Sequence, residues 1–242
     1  MYVLRTFFNT AVIGTLAVMW LFLFGLLAAP FLWLFGDKKG CLFHRFVYYQ
    51  SKGIVFAVRL CSTGLRIEHA PRPKEPCIVA ANHASALDLY TVCALGFDNV
   101  VYITKGWVFK IPFFRFIMNG AGYIDAEKTP PEQMLALCEQ AVKNGSDIVL
   151  FPQGSRKNPQ ARFKSGAFYL AEKLNLPVVP MAICGTGKML PSGSRILHPA
   201  KITIKSFPAV YPSDFSGDLV HLKMAQTVKK QIMDFVNSEE SK

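Results

Sequence analysis

The stretch CIVAANHASALD, residues 77–88, decides the fold together with DIVLFPQGSR, residues 147–156. Each opens on a short apolar run and then changes character abruptly. The first run gives way to a loop carrying Asn82, His83 and Asp88, the second to Gln153, Gly154, Ser155 and Arg156. A brief continuous apolar run bounded by turn signals reads as a strand buried on both faces. Working outward, the same reading predicts strands at residues 65–69, 77–81, 100–103, 147–151, 178–184 and 201–207. Helical spacing predicts helices at 86–95, 108–118, 131–143, 165–174 and 219–237. Strands alternating with such helices define an α/β domain with a largely parallel central sheet flanked by helices. Ligands of such sheets gather outside the carboxyl ends of the strands, so the two loops are expected to open on one edge.

Upstream of this domain, no residue between Arg5 and Asp37 carries a charge. The run AVIGTLAVMWLFLFGLLAAPFLWLF, residues 11–35, exceeds the roughly 20 apolar residues of a spanning helix. It is too long for the apolar region of a secretory signal, about 7–15 residues. Gly25 and Pro30 leave two shapes open: one tilted crossing, or two shorter helices that dip in and return. The second arises because proline lacks a backbone donor and disfavours helix at Ala29. Lys38, Lys39 and Arg45 follow the run while Arg5 precedes it, which places the rest of the chain on the cytoplasmic face, the inner membrane if bacterial.

Residues 43–60 then read as an amphipathic helix, with Phe46, Val47, Ile54 and Val58 on one stripe and Arg45, Lys52 and Arg59 on another. It either lies in the headgroup layer or packs on the domain. Gly53 costs it about 1 kcal/mol of helix propensity. The expected division is residues 1–62 as membrane-anchoring and interfacial helices and residues 63–242 as the α/β domain.

Across 242 residues, 51% are apolar and the formal net charge is +11. Residues 156–212 hold nine bases and a single acid, Glu172. Such an excess points to acidic partners, an anionic bilayer or a phosphorylated substrate. The bases form no Lys/Arg-rich run of the nucleic-acid kind, so nucleic acid is not expected as a partner. Cysteines 41, 61, 77, 93, 138 and 184 are widely spaced and form no C-x-x-C pair. They read as small buried hydrophobes in a reducing compartment, and no metal site is expected.

Ser85 is a good N-cap for a helix starting at Ala86, and Asp88 three residues on completes a capping-box pattern. That accounts for Asp88 and leaves His83 unexplained. Helical side chains tilt toward the N-terminus, so the Asp88 carboxylate leans back toward the loop holding His83. The pair reads either as a structural hydrogen bond or as a base, its tautomer fixed by the carboxylate, that takes a proton from an alcohol. Arg156, on a Pro-Gly turn that exposes backbone donors, reads either as a solvated surface charge or as a planar fork suited to phosphate. Gly185-Thr186-Gly187-Lys188 lacks the earlier glycine of a phosphate loop, because that position is Ala182. No G-x-S-x-G elbow occurs, which disfavours a serine lipase.

NHASALD, residues 82–88, resembles the first signature of the glycerolipid acyltransferase (PlsC-like) family, which includes the 1-acylglycerol-3-phosphate acyltransferases. FPQGSR, residues 151–156, resembles its Phe-Pro-Glu-Gly-Thr-Arg block. Lys105, Pro112, Gly120 and the run 122–125 resemble its second block, and LPVVPMAI, residues 176–183, its fourth, a strand near the acyl site that contains Pro180. The resemblance implies His83 as general base and Asp88 as its orienter. It implies Arg156 and Lys105 as phosphate contacts, with Gln153, Gly154 and Ser155 shaping the acceptor pocket and Asn82 and Pro180 supporting the acyl site. It also implies an acyl carrier protein or coenzyme A thioester as co-substrate, no cofactor, and lysophosphatidic acid as acceptor at a phospholipid bilayer. Gln153 stands where the family has Glu, and Ala126 where its second block ends in Arg. Another lyso-lipid acceptor, such as a lyso-ornithine lipid or lyso-cardiolipin, or a non-catalytic membrane lipid-binding protein, is the alternative.

Overall fold

The computed structural model describes residues 1–36, 40–156, 158 and 161–241. Lys38 and Lys39, on which the sidedness reading draws, lie outside the described residues. The chain begins as helix α1 (Tyr2–Phe8), passes through a π-helical stretch at Asn9–Gly14 and continues as α2 (Thr15–Phe35). Helix therefore runs from Tyr2 to Phe35, 34 residues, long and apolar enough to cross a membrane. At 1.5 Å per residue this is about 50 Å, longer than the roughly 30 Å hydrocarbon core. Pro30 stays inside α2, so the break into two shorter helices does not occur. Its ring faces outward near the helix end, where the missing donor interrupts the ladder only locally.

Helix α3 (Cys41–Cys61) returns along α2. Trp20 stacks on Phe24 at 4.7 Å and Phe24 on Phe46 at 5.5 Å, while the Gln50 amide donates to the Leu21 carbonyl at 3.1 Å. Phe43, Phe46, Ile54 and Val58 are buried, whereas Arg45, Lys52 and Arg59 are exposed. The apolar stripe of α3 thus packs on the protein, and the outer face keeps its bases with exposed Tyr49, Phe56 and Leu60.

Strands β1 (Gly64–Glu68), β2 (Ile78–Ala81), β3 (Val100–Thr104), β4 (Ile124–Asp125), β5 (Asp147–Leu150), β6 (Val178–Cys184) and β7 (Lys201–Ser206) form one sheet in the order β1-β7-β6-β2-β5-β3-β4. Every pairing is parallel except β6 with β7. All six strands expected from periodicity are present. The two-residue β4 is too short for a periodic pattern, and it falls in the run 122–125 that the family resemblance marks as a strand.

Helices α4 (Asp88–Thr91), α5 (Pro112–Gly120), α6 (Pro131–Lys143), α7 (Gly166–Leu174), α8 (Thr186–Met189) and α9 (Val220–Glu240) complete the fold. The helix expected at 86–95 begins only at Asp88 and tightens to 3-10 geometry at Val92–Leu95. The one expected at 108–118 divides into a 3-10 turn, Gly106–Lys110, and α5. Pro112 takes the first turn of α5, where a missing N–H costs nothing, and Ile111 before it is extended at φ −88°, ψ 116°.

Alternation along the strands builds two core layers. Ile78, Ala80, Ile148 and Leu150 pack with Phe168 of α7 and Met224 and Ile232 of α9. Val79, Ala81, Val149, Met181 and Ile183 pack on the other side with Ile54 and Val58 of α3, and with Ile13 of the N-terminal helical run. At the starting ends of β2 and β5, buried Asp147 accepts the Cys77 backbone N–H at 3.0 Å and pairs with Arg72, tying the two strands together.

Candidate active site

Strands β2 and β5 are parallel neighbours in register, Ala80 opposite Leu150, and β6 lies on the other side of β2. The loops that follow all three strands therefore leave the sheet on one edge. His83 Nδ1 lies 2.9 Å from Asp88 Oδ2, with the His83 side chain 15% exposed and that of Asp88 fully buried. The same carboxylate oxygen accepts the backbone N–H groups of Ala84 at 2.7 Å and Ser85 at 2.8 Å. The bond to Ser85 N–H is one half of a capping box. The other half is displaced by one residue: the Ser85 hydroxyl accepts the Leu87 N–H at 3.3 Å rather than that of Asp88 and donates to the Leu190 carbonyl at 2.9 Å, while the regular helix starts only at Asp88. Asp88 thus organises the loop and engages the imidazole with one side chain.

A buried carboxylate that accepts Nδ1–H leaves Nε2 as the ring nitrogen able to take a proton. Phe151 stacks on the imidazole with centroids 4.3 Å apart, which restricts ring rotation. From the β5 side, buried Gln153 accepts the His83 backbone N–H through Oε1 at 2.5 Å. An amide oxygen accepts that bond as a carboxylate would, so the neutral residue serves the same geometry. Gly154 turns at φ +65°, a conformation that favours glycine, and its Cα faces the Lys164 amine.

From the β6 side, the Asn82 amide donates to the Ile183 carbonyl at 2.8 Å and accepts its N–H at 2.7 Å. Asn82 is thus a clip between the first loop and β6. Pro180 lies buried inside β6, its carbonyl accepting from Phe207 at 2.9 Å. Arg156 joins Asn82, Ala84, Gly187 and Lys188 in lining a cleft of about 530 Å³ beside the His83 loop. Ser155, half-buried, precedes it. Lys105 is exposed at the carboxyl end of β3, at the same edge but beyond β5, and has no polar partner among the described residues. The turn at Ala126 is surface, with the Glu127 N–H bonded to Asp125 at 2.9 Å and Lys128 exposed.

One buried contact has no counterpart in the sequence reading. The Thr186 hydroxyl donates to Asp88 Oδ1 at 2.6 Å, across 98 residues of chain. Its only sequence signal is the Gly185–Lys188 stretch, which reads there as an incomplete phosphate loop. A second, apolar cavity of about 130 Å³ lies between α2, α3 and β3, lined by Leu21, Phe46, Val47, Tyr102 and Tyr123. It reaches Leu89 and Tyr90, directly after Asp88.

Residues 63–184 match the sequence profile of the family described as Acyltransferase. The chain is 32% identical over 209 residues to the 1-acyl-sn-glycerol-3-phosphate acyltransferase BAT2, chloroplastic, of Brassica napus, covering 82% of this chain and 60% of that protein. It is 32% identical over 199 residues to LPAT1, chloroplastic, of Arabidopsis thaliana, an enzyme of the same name, covering 79% and 54%. It therefore spans little more than half the length of these relatives. The crystal structure of the 1-acyl-sn-glycerophosphate (LPA) acyltransferase PlsC from Thermotoga maritima superposes with a TM-score of 0.76 at 21% identity, over 100% of this chain and 99% of that one. With the profile match spanning the His83 loop, the Gln153–Arg156 turn and β6, the chain belongs to the acyltransferase family.

Proposed function

We propose that the protein transfers a fatty acyl group from an acyl carrier protein or coenzyme A thioester to the sn-2 hydroxyl of lysophosphatidic acid, forming phosphatidic acid. The observation that carries this reading is the His83–Asp88 pair, an imidazole held at Nδ1 by a fully buried carboxylate, whose chain neighbours Asn82 and Ala84 line a cleft together with Arg156. His83 Nε2 takes the proton of the acceptor hydroxyl as its oxygen bonds to the thioester carbonyl carbon. The carbon–sulfur bond then breaks, and the imidazolium returns the proton to the departing thiolate. The thioester is already activated, so a base and an oriented acceptor suffice without a covalent enzyme intermediate. Arg156 is assigned to the acceptor phosphate by its planar fork, with Lys105 at the outer end of the same edge. The apolar cavity beside Leu89 and Tyr90 suits an acyl chain.

Residues 1–62 seat the α/β domain, residues 63–242, on the bilayer, with the exposed bases of α3 toward anionic headgroups on the cytoplasmic face. This arrangement is supported by the apolar helix and by the outward stripe of Arg45, Lys52 and Arg59. A different lyso-lipid acceptor is the second reading, favoured by Ala126, which leaves the second block without its arginine. Purified protein given labelled acyl thioesters and a panel of lyso-lipids is expected to acylate lysophosphatidic acid, and His83→Ala to abolish transfer. Transfer surviving in His83→Ala would overturn the mechanism; transfer only to another acceptor would overturn the substrate.

A further inference from the structure

The loop that carries His83 is gripped along its length by the segment that ends β6. Asn82 is clipped to the Ile183 backbone by two hydrogen bonds, and the Ser85 hydroxyl reaches the Leu190 carbonyl. Gly187 lies so close to Ala84 that a Cβ on it would stand 3.0 Å from the Ala84 methyl. At the centre of this contact, the fully buried Thr186 hydroxyl donates to Asp88 Oδ1 at 2.6 Å. The two carboxylate oxygens are unequally served. Oδ2 meets His83 and the N–H groups of Ala84 and Ser85, whereas Thr186 is the one donor to Oδ1 among the described residues.

We propose that Thr186 is a positioning residue for acyl transfer, acting through Asp88 to hold the carboxylate in the rotamer that fixes the His83 imidazole. A buried carboxylate oxygen without a donor is costly, because desolvation falls on a charged group. Without the hydroxyl, Asp88 relieves that cost by rotating or by taking up a proton. Either change weakens the bond to Nδ1–H and releases the ring. Thr186 touches neither the reacting atoms nor the phosphate contact, so its loss falls on the chemical step and leaves acceptor affinity in place. Gly185 makes the position possible: it turns at φ +84°, and a Cβ there would fall 1.9 Å from the Lys201 carbonyl oxygen. The stretch Gly185-Thr186-Gly187 thus works as a buttress under the catalytic pair.

This inference rests on the reading of His83 as base, and the test separates the two. Thr186→Val keeps the shape of the side chain and removes the donor; Thr186→Ser keeps the donor and removes a methyl. With labelled acyl thioester and lysophosphatidic acid, Thr186→Val is expected to lower kcat by about tenfold to a hundredfold. KM for the acceptor should change less than about threefold, and Thr186→Ser should recover most of the rate. Wild-type kcat in Thr186→Val while His83→Ala is inactive would overturn the role of Thr186 alone. Equal losses in the Val and Ser variants, with thermal unfolding temperatures lowered in parallel, would reduce Thr186 to a packing residue and also overturn it. Activity persisting in His83→Ala would instead overturn the underlying mechanism.

Discussion

At the scale of single residues, the candidate site is built from side chains that hold backbone as much as from those that line the cleft. Gln153 marks the difference. Its position in the motif reads as a pocket-shaping residue that has lost a charge, yet Oε1 is spent on the His83 backbone N–H. Gln153→Glu is therefore expected to keep activity within about threefold, because a carboxylate accepts the same bond, while Gln153→Ala should lose about tenfold in kcat. Steady-state rates of the two variants check this, and equal losses in both would tie the amide to another role. Arg156→Ala is expected to raise the acceptor KM by at least about tenfold, with Arg156→Lys only partly restoring it, since an ammonium lacks the planar fork. Motif and loop chemistry single out His83, Asp88, Gln153 and Arg156 as candidates, and the fold gathers their two loops on one edge of the sheet. Thr186 escapes that reading, because hydrogen bonding across 98 residues leaves no local pattern.

At the scale of elements, the N-terminal helices show why a residue's propensity and its purpose can diverge. Gly53 weakens α3 as an isolated helix, but in the folded chain a Cβ at this position would stand 2.3 Å from Trp20 Nε1. The glycine lets the indole of α2 lie against α3 and bond to the Gln50 carbonyl at 3.4 Å. Gly53→Ala, a gain in helix propensity, is accordingly expected to destabilise the protein by about 1–3 kcal/mol through overpacking. Thermal or denaturant unfolding in detergent measures it, and a rise in stability would show that the ring moves aside freely. The same tension explains the division of the expected helix at 108–118: apolar spacing extends across Pro112, but backbone geometry does not.

For the whole molecule, the N-terminal helices and the α/β domain share a core. The Asn9 amide donates to the Cys61 carbonyl at 3.0 Å, the Leu197 N–H to Thr10 at 2.9 Å, and Ile13 packs with Ile54 and Val58 under the sheet. Removing residues 1–35 is therefore expected to lower the unfolding temperature as well as abolish flotation with anionic vesicles. A truncated protein as stable as the full chain would count against that shared core. Burial also separates the cysteines: desolvation raises the Cys61 thiol to about 11 and those of Cys93, Cys138 and Cys184 to about 12, with Cys77 pushed higher still, while Cys41 is exposed. Because the thiolate is the reactive form, iodoacetamide at roughly pH 8 should modify Cys41 first in the native protein and all six after denaturation, as peptide mass spectrometry would report. The α/β class, the apolar N-terminal helix and the two loops of the candidate site are all written in the sequence, because buried strands, long apolar helices and turns each follow from short-range pattern and local backbone chemistry. That β6 lies beside β2 and runs antiparallel to β7, that Thr186 reaches Asp88 and that Trp20 covers Gly53 emerge only in the folded chain. Those pairings depend on strand order and on side chains meeting across long stretches of chain, which local periodicity does not encode.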